Sequence, residues 1–178
     1  MIGIYDLTKR YGDQLLFEGA AFNVKRGERI GLVGRNGHGK STLMKILVGE
    51  ESSDEGRVDI PKNYSIGYLR QRIDLTEQSV LKEVCKGLGR RREREIWKAE
   101  KVLMGLGFTE QNMENDPGIF SGGYQMRIEL AKVLVSEPDM LLLDEPTNFL
   151  DIVSIRWLEN FLKKWRGELI VISHDRNF

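Results

Sequence analysis

The sequence has little of several features that mark particular classes of protein. It contains one cysteine, Cys85, and two histidines in 178 residues. A single cysteine cannot form an internal disulfide, which excludes the small disulfide-stapled folds and fits a reducing compartment. No apolar run approaches the roughly 18 residues that a membrane-spanning helix requires. The chain itself is therefore expected to be soluble and cytoplasmic.

An excess of charge of one sign is also missing. Lys and Arg together number 27, and so do Asp and Glu, which leaves a formal net charge of zero. The whole chain thus lacks the basic excess that indicates nucleic-acid binding, and only a local patch could provide that function. Hydrophobic residues make up 40% and charged residues 30%. A chain of this length and composition suits one globular domain with a real core.

The clearest motif present is a glycine-rich loop. Gly34-Arg35-Asn36-Gly37-His38-Gly39-Lys40-Ser41 reads G-x-x-x-x-G-K-S, the phosphate-binding loop of P-loop nucleotidases. A predicted strand over 28–33 precedes it and a predicted helix over 42–48 follows it, which is the context that the motif requires. A purely structural glycine turn is the alternative, and this context disfavours it.

The chemistry accounts for each residue type in the loop. The glycines let consecutive backbone N–H groups face the phosphates. The N-terminus of the following helix adds partial positive charge. Lys40 would reach the β- and γ-phosphates, and the Ser41 hydroxyl would bind Mg²⁺. The loop therefore predicts a nucleotide site.

Two adjacent carboxylates follow a continuous apolar run. Residues 139–143 predict a central parallel strand. The strand delivers Asp144 and Glu145 at its C-terminal end, where ligands bind in open α/β sheets. Asp144 would hold Mg²⁺ through water, and Glu145 would polarise the attacking water. Solvated carboxylates without a role are the alternative.

Tyr11 and Gln71 each have a structural and a functional interpretation. Tyr11 is either a surface tyrosine in a turn or a flat aromatic that stacks on adenine. Gln71 either ends a strand or reaches the Mg²⁺ and the attacking water from a loop. Neither residue decides the matter alone.

A second glycine-rich segment and a histidine lie later in the chain. Ser121-Gly122-Gly123 opens a strongly helical run over 126–135, either as an ordinary helix cap or as a second phosphate cradle. His174 follows a predicted strand over 168–172. It is either structural or placed at the sheet edge where the γ-phosphate would lie.

The rest of the sequence alternates strand and helix patterns. Further strands are predicted over 1–7 and 20–24, a short antiparallel pair over 57–60 and 64–69, and helices over 79–87, 90–104 and 152–165. The helix over 90–104 mixes basic and acidic residues, which is typical of a solvated face with i,i+4 pairs. A patch facing RNA or phosphate remains the alternative there, and Trp97 is either a core anchor or a partner surface.

In this order, the motifs resemble an ATP-binding cassette (ABC) ATPase domain over nearly the whole chain. The resemblance implies Tyr11 as the adenine-stacking aromatic, Gly34 to Thr42 as Walker A, Gln71 as the Q-loop, Ser121-Gly122-Gly123 as the signature, Met140 to Glu145 as Walker B with the catalytic glutamate, Leu150-Asp151 as the D-loop, and His174 as the switch histidine. The Ser-Gly-Gly segment before an aliphatic run that ends Asp-Glu-Pro is specific to this family.

The resemblance also implies a fold and its cofactors. The fold is an α/β P-loop NTPase with a mostly parallel core sheet, a small antiparallel β subdomain and a helical signature subdomain. The single domain over 1–178 would have its core in about 1–70 and 136–178 and its helical part in about 72–135, with C-terminal elements missing. ATP and Mg²⁺ are the expected cofactors, with Ser41, Gln71 and Asp144 at the metal. Glu145 and His174 are the expected catalytic residues.

Two strings resemble the ABC-F branch of the family, residues 144–151 and residues 173–178. Arg127 also fits the signature of that branch. ABC-F proteins lack membrane domains, usually carry two cassettes, and are implied to act on the ribosome as translation factors or antibiotic-resistance proteins. The chain is thus expected to be the first cassette of a longer protein. The alternatives are the ATPase subunit of a membrane transporter, and an ATP-gated clamp in which turnover has no role.

The sequence departs from the family pattern at several positions. Phe120 replaces the usual leucine, Tyr124 replaces the usual glutamine, and His38 replaces a small residue. The interval from Gln71 to Ser121 is short, whereas many ABC-F first cassettes insert a long ribosome-contacting helical arm there. In this family two cassettes pair head to tail, and each signature closes on the ATP of the other. A second cassette is therefore an expected partner, and slow hydrolysis is expected of the single domain.

Overall fold

The computed structural model describes residues 2–35, 37–70 and 72–173. Asn36, Gln71 and His174 are among the positions outside the described residues. The strands are β1 (Ile2–Tyr11), β2 (Gln14–Val24), β3 (Arg29–Leu32), β4 (Glu55–Asp59), β5 (Ile66–Tyr68), β6 (Met140–Asp144) and β7 (Glu168–Ile172). The helices are α1 (Lys40–Leu47), α2 (Val80–Cys85), α3 (Arg92–Gly105), α4 (Glu110–Glu114), α5 (Gly122–Val135) and α6 (Ile152–Lys163). None of the described helices is long and apolar enough to cross a membrane.

The described residues divide into two compact units. One unit, residues 2–68, 139–144 and 166–173, contains every described strand together with α1. The other, residues 69–138 and 145–165, contains α2 to α6. Residues 145–165 thus group with the helices, whereas the sequence analysis placed them with the core.

A four-stranded parallel sheet has the order β3-β7-β6-β5. All five residues of β6 are buried, and Leu142 lies opposite Ile170 of β7. A strand covered on both faces can be apolar at every position, which explains the uninterrupted run in the sequence. The α/β class and the parallel core sheet are confirmed.

A three-stranded antiparallel sheet has the order β2-β1-β4. Ile4 in its central strand lies opposite Phe22 of β2 and Val58 of β4. Ile4 packs into one hydrophobic core with Met44 of α1 and with residues of the parallel sheet such as Leu142. The core therefore lies among α1 and both sheets, and it fixes the start of α1 relative to the end of β6.

The antiparallel pair predicted over 57–60 and 64–69 is wrong. β4 pairs with β1, and β5 pairs in parallel with β6, with Ile66 opposite Met140. A turn in which the Tyr64 N–H donates to the Pro61 carbonyl (3.3 Å) carries the chain from one sheet to the other. The two short strands each find a larger buried partner far away in the sequence, which the local pattern cannot reveal.

The helical unit contains a buried group of charges in addition to its apolar core. Glu83 of α2 is fully buried and accepts hydrogen bonds from the N–H groups of Thr76 and Glu77, both 2.9 Å, and from Lys132 Nζ of α5. Burial by itself raises the pKa of Glu83, but these hydrogen bonds and one from Lys86 outweigh it and lower the pKa to about 2. This network fastens the loop before α2 to the helices.

Candidate nucleotide-binding site

The loop between β3 and α1 has a backbone that only glycine adopts easily at two points. Gly37 has φ of 80° and Gly39 has φ of 83°, in the left-handed region. A Cβ atom on Gly39 would lie 3.0 Å from side-chain atoms of both Leu16 and Phe17 of β2. The glycine at 39 is therefore required by backbone geometry and by packing together.

Lys40 folds over this loop. Its Nζ donates to the carbonyl of Gly34 (2.8 Å) and to that of Arg35 (3.0 Å). Lys40 also begins α1, whose first turn contains no acidic residue to offset the positive end of the helix dipole. An ammonium group and a helix N-terminus thus meet at one loop, an arrangement that binds phosphate.

Ser41 and Asp144 come together although the sequence separates them by 103 positions. The Ser41 hydroxyl donates to Asp144 Oδ2 at 2.5 Å, and Asp144 is only 5% exposed. A hydroxyl and a carboxylate are the hard oxygen ligands that Mg²⁺ prefers, and Mg²⁺ usually takes one or two protein groups with phosphates and waters. The described residues contain no cluster of three or more His, Cys, Asp and Glu suited to a metal, so the pair fits a metal completed by nucleotide. Gln71, the third predicted metal residue, falls outside the description.

Glu145 follows Asp144 in the chain and has an unusual backbone. Its φ of 50° and ψ of 52° lie in the left-handed region, which costs energy for a residue with a side chain. Pro146 comes next and begins a short 3₁₀ turn, Pro146–Phe149, closed in part by the Asn148 N–H donating to the Glu145 carbonyl. Strained backbones of this kind concentrate at functional sites.

Tyr11 is the last residue of β1. The sequence had predicted it in the turn that follows. Its side chain is 48% exposed. It pairs with Gln14, whose Nε2 lies 3.5 Å from the Gly37 carbonyl of the phosphate loop. An exposed ring on a hairpin that contacts the loop suits base stacking.

Sequence reasoning missed two residues beside Tyr11, Lys9 and Gln14. Lys9 is 5% exposed, lies 3.0 Å from Glu51 in an ion pair, and places its Nζ 5.2 Å from the Tyr11 ring centroid. Residues two apart on a strand share a face, so the Lys9–Tyr11 spacing was the available signal. Nothing in the local pattern marks Gln14.

The predicted signature opens α5. Ser121 is the N-cap residue, and its side chain makes no capping hydrogen bond within the described part of the chain. A Cβ atom on Gly122 or on Gly123 would meet nothing within 4 Å. In contrast to Gly39, neither glycine is explained by contacts within the described residues.

The two departures from the family signature form an aromatic cluster with Phe108. The Phe108 ring centroid lies 5.7 Å from that of Phe120 and 5.4 Å from that of Tyr124, both edge-on, and the last two rings stack at 6.0 Å. Such pairs add stability beyond their buried area. The substitutions thus support one another at the start of α5.

Asp151 of the predicted D-loop caps α6. Its Oδ1 accepts hydrogen bonds from the N–H groups of Val153 (3.1 Å) and Ser154 (2.9 Å), and its Oδ2 lies 2.9 Å from Arg127. The Ser154 amide, with Arg127, holds the pKa of Asp151 below its usual value. Leu150 is partly buried. Among the remaining predicted residues, Asn36 and His174 lie outside the described ranges.

Comparison with known proteins identifies one matching family and similar ATP-binding proteins. Residues 17–148 match the family described as ABC transporter. The whole chain is 36% identical to "Probable ATP-binding protein YheS" of Escherichia coli K12, and 99% of it is 38% identical to "ATP-binding cassette sub-family F member 3" of Mus musculus. It covers 33% and 30% of those proteins, so the chain spans about a third of their length. The second name agrees with the ABC-F resemblance in the sequence.

Solved structures give the same fold. A bacterial ABC transporter cassette, described as dimeric, is 26% identical with a TM-score of 0.82, covering 99% of this chain and 89% of that one. Another, cbiO1 from Clostridium perfringens, described as part of an ABC transporter complex, is 28% identical with a TM-score of 0.71, covering 98% and 78%.

Proposed function

The chain belongs to the ATP-binding cassette family of ATPases, and on this premise we propose that it binds ATP at residues 34–42 and hydrolyses it at a site completed by a second cassette. The observation that carries the proposal is the Ser41–Asp144 contact at 2.5 Å. It joins the phosphate loop to the end of β6, where the metal and the triphosphate would lie.

Binding depends on positive charge that is already in place. The triphosphate carries a charge of about −4, which the Lys40 ammonium, the loop N–H groups and the N-terminus of α1 would offset. Phosphate oxygens would replace the Gly34 and Arg35 carbonyls as acceptors for Lys40. Tyr11 would stack on the adenine. His38 and Thr42 complete the loop, and His38 would contribute its backbone N–H.

Mg²⁺ would be held by Ser41 and Asp144, with Gln71 as the third protein ligand. When bound, the metal supplies neutralisation of the charge on the β- and γ-phosphate oxygens. Glu145 would accept a proton from the attacking water, and His174 would contact the γ-phosphate. The position of Glu145, directly after Asp144 at the C-terminal end of β6, supports its role.

A second cassette would complete the site in head-to-tail pairing. Ser121, Gly122 and Gly123 would close on the γ-phosphate bound to the partner, with Leu150 and Asp151 beside the contact. The open space over the two glycines supports this role, because bare backbone N–H groups at a helix start favour an anion. The dimeric state of a related cassette supports it as well.

A substitution at Glu145 tests the proposal. Glu145→Gln should keep ATP binding and should accumulate an ATP-dependent dimer, because bound nucleotide joins the two cassettes until it is hydrolysed. Light scattering with and without ATP measures the dimer. Lys40→Ala is the control and should lose both binding and dimerisation. A folded Glu145→Gln protein that binds ATP and stays monomeric would count against the composite site.

The cellular role that we propose is action on the ribosome, in translation or antibiotic resistance, from a cytoplasmic location. Support comes from residues 144–151 and from the sub-family F relative. The second candidate, a transporter ATPase subunit, is favoured by the description of cbiO1 as part of a transporter complex. Sedimentation of the full-length protein with Glu145→Gln, in the presence of ATP, separates the two candidates. Action on the ribosome predicts that the protein sediments with the ribosomal fraction, and a transporter subunit predicts the membrane fraction.

A further inference from the structure

Arg127 of α5 is a buried cation with three hydrogen bonds, and it is only 7% exposed. Its Nε donates to the Phe149 carbonyl at 2.8 Å, and its Nη1 donates to the Leu106 carbonyl at 3.1 Å and to Asp151 Oδ2 at 2.9 Å. All four residues belong to the helical unit. A guanidinium holds its N–H donors in a rigid, planar fork and so fixes the directions of several acceptors at once, whereas the three donors of a lysine ammonium rotate freely.

Two of the three acceptors of Arg127, the Phe149 carbonyl and the Asp151 carboxylate, lie at the predicted D-loop. Phe149 and Asp151 are the residues on either side of Leu150, so Arg127 holds that loop from both ends. Asp151 also caps α6. The Asp151 side chain thus fixes both the path of the D-loop, through Arg127, and the start of α6.

Arg127 also reaches back to the signature. Its guanidinium carbon lies 4.5 Å from the ring centroid of Tyr124, one turn earlier in α5, a cation–π contact. Tyr124 in turn stacks on Phe120, which directly precedes Ser121. An unbroken series of contacts therefore runs from the residue before the signature to Asp151.

We infer that Arg127 is a positioning residue that clamps the start of α5 to the D-loop, so that the two segments meet a partner cassette as one rigid edge. The inference rests on the proposed function, since both segments act on the partner. Arg127 itself touches no nucleotide in this account. Its loss should weaken pairing and leave binding of ATP to the single cassette intact.

The first test compares binding with pairing in the Glu145→Gln background. Arg127→Met should change the ATP dissociation constant by less than about twofold, and should raise the dimer dissociation constant by roughly tenfold or more. Arg127→Lys should give an intermediate loss, because it keeps the charge without the fork. Arg156→Met, which removes an exposed arginine of α6, is the matched control and should change neither constant.

The second test needs no partner. In protein without nucleotide, Arg127→Met should speed amide hydrogen exchange at residues 149–154 by roughly tenfold, while exchange in β6 and β7 stays unchanged. Arg156→Met should leave residues 149–154 unchanged. This exchange measurement decides whether the clamp exists even if Glu145→Gln fails to dimerise. A failure to dimerise would count against the proposed function and not against the clamp.

Asp151→Ser guards against misfolding of the methionine variant, because serine can still cap α6 but cannot pair with Arg127. If the clamp acts through this ion pair, the double variant should lose no more dimer affinity than the worse single variant. Unchanged exchange at 149–154 in folded Arg127→Met overturns the clamp. Faster exchange with normal dimerisation overturns its role in pairing, and additive losses in the double variant overturn the Arg127–Asp151 pair as the contact through which it acts.

Discussion

Two glycines that look alike in the sequence differ at the scale of the residue. Gly39 has a left-handed backbone and would bring a Cβ atom to 3.0 Å from Leu16 and Phe17. Gly122 begins α5 and has open space where its Cβ atom would be. Backbone geometry and packing account for the first glycine, whereas contacts among the described residues do not account for the second.

Alanine substitution at both glycines separates these causes. Gly39→Ala should lower the free energy of unfolding by about 1–2 kcal/mol, because left-handed backbone disfavours a side chain. Gly122→Ala should change it by less than about 0.5 kcal/mol but should weaken ATP-dependent dimerisation of Glu145→Gln. Urea unfolding and light scattering measure the two effects. Equal loss of stability in both variants would contradict this interpretation.

At the scale of the residue, the sequence predicted those site residues that belong to short motifs with a recognisable spacing. Ser41 and Asp144 were both placed at the metal from separate motifs, and the structure brings them together. The contacts of Arg127 were not predicted, although its fit to a branch signature was noted. Its acceptors are mostly backbone carbonyls, such as that of Phe149, and backbone carbonyls leave no trace in a sequence.

At the scale of the element, the loop before α2 depends on the network around Glu83. Glu83 draws hydrogen bonds from two loop N–H groups, and Lys132 of α5 joins it to Glu129, with ion-pair distances of 2.9 and 3.0 Å. Lys132 also donates to the Asp74 carbonyl at 3.3 Å. These bonds fix residues 74–77, shortly after the predicted Q-loop, to the helix that begins at the signature.

Glu83→Gln should therefore destabilise the protein by about 3 kcal/mol at pH 7, because it breaks a buried ion pair by removing one partner. The pKa of Glu83 is lowered from 4.5 to about 2, so its stabilisation is complete above pH 4.5 and is lost as the pH falls toward 2. The difference in unfolding free energy between wild type and variant should shrink over that window. Urea unfolding at pH 7 and pH 3 measures it.

The control for this prediction is Glu114→Gln, at the exposed end of α4. It should alter the unfolding free energy by less than about 0.5 kcal/mol at either pH. A Glu83→Gln deficit that stays constant between pH 7 and pH 3 would show that the carboxylate charge is not the source of the stability.

Helices and strands were predictable where the local hydrophobic pattern determines them. The apolar run of β6 and the amphipathic pattern of α6 were read correctly because burial imposes the period. The pairing of β4 and β5 was not, since each pairs with a strand distant in sequence. The Glu83 network was also invisible, because a glutamate in a short helix resembles a solvated one until its neighbours are known.

At the scale of the whole molecule, the two sides of the proposed ATP site would come from two cassettes. The unit that contains the strands would bind nucleotide through Lys40, and the helical unit would present Ser121, Gly122 and Gly123 to the partner. A lone cassette would then bind ATP but hydrolyse it slowly. One variant can therefore lose the nucleotide-binding loop, and a different variant can lose the signature.

Mixing two inactive variants tests this claim most directly. Lys40→Ala removes the phosphate lysine, and Gly122→Asp sets a carboxylate where the partner's γ-phosphate would lie. A mixed dimer still contains one intact site, made from the normal loop of one molecule and the normal signature of the other. ATP hydrolysis in the mixture should rise well above that of either variant alone. Activity equal to the average of the two separate variants, each folded, would contradict a site shared between two cassettes.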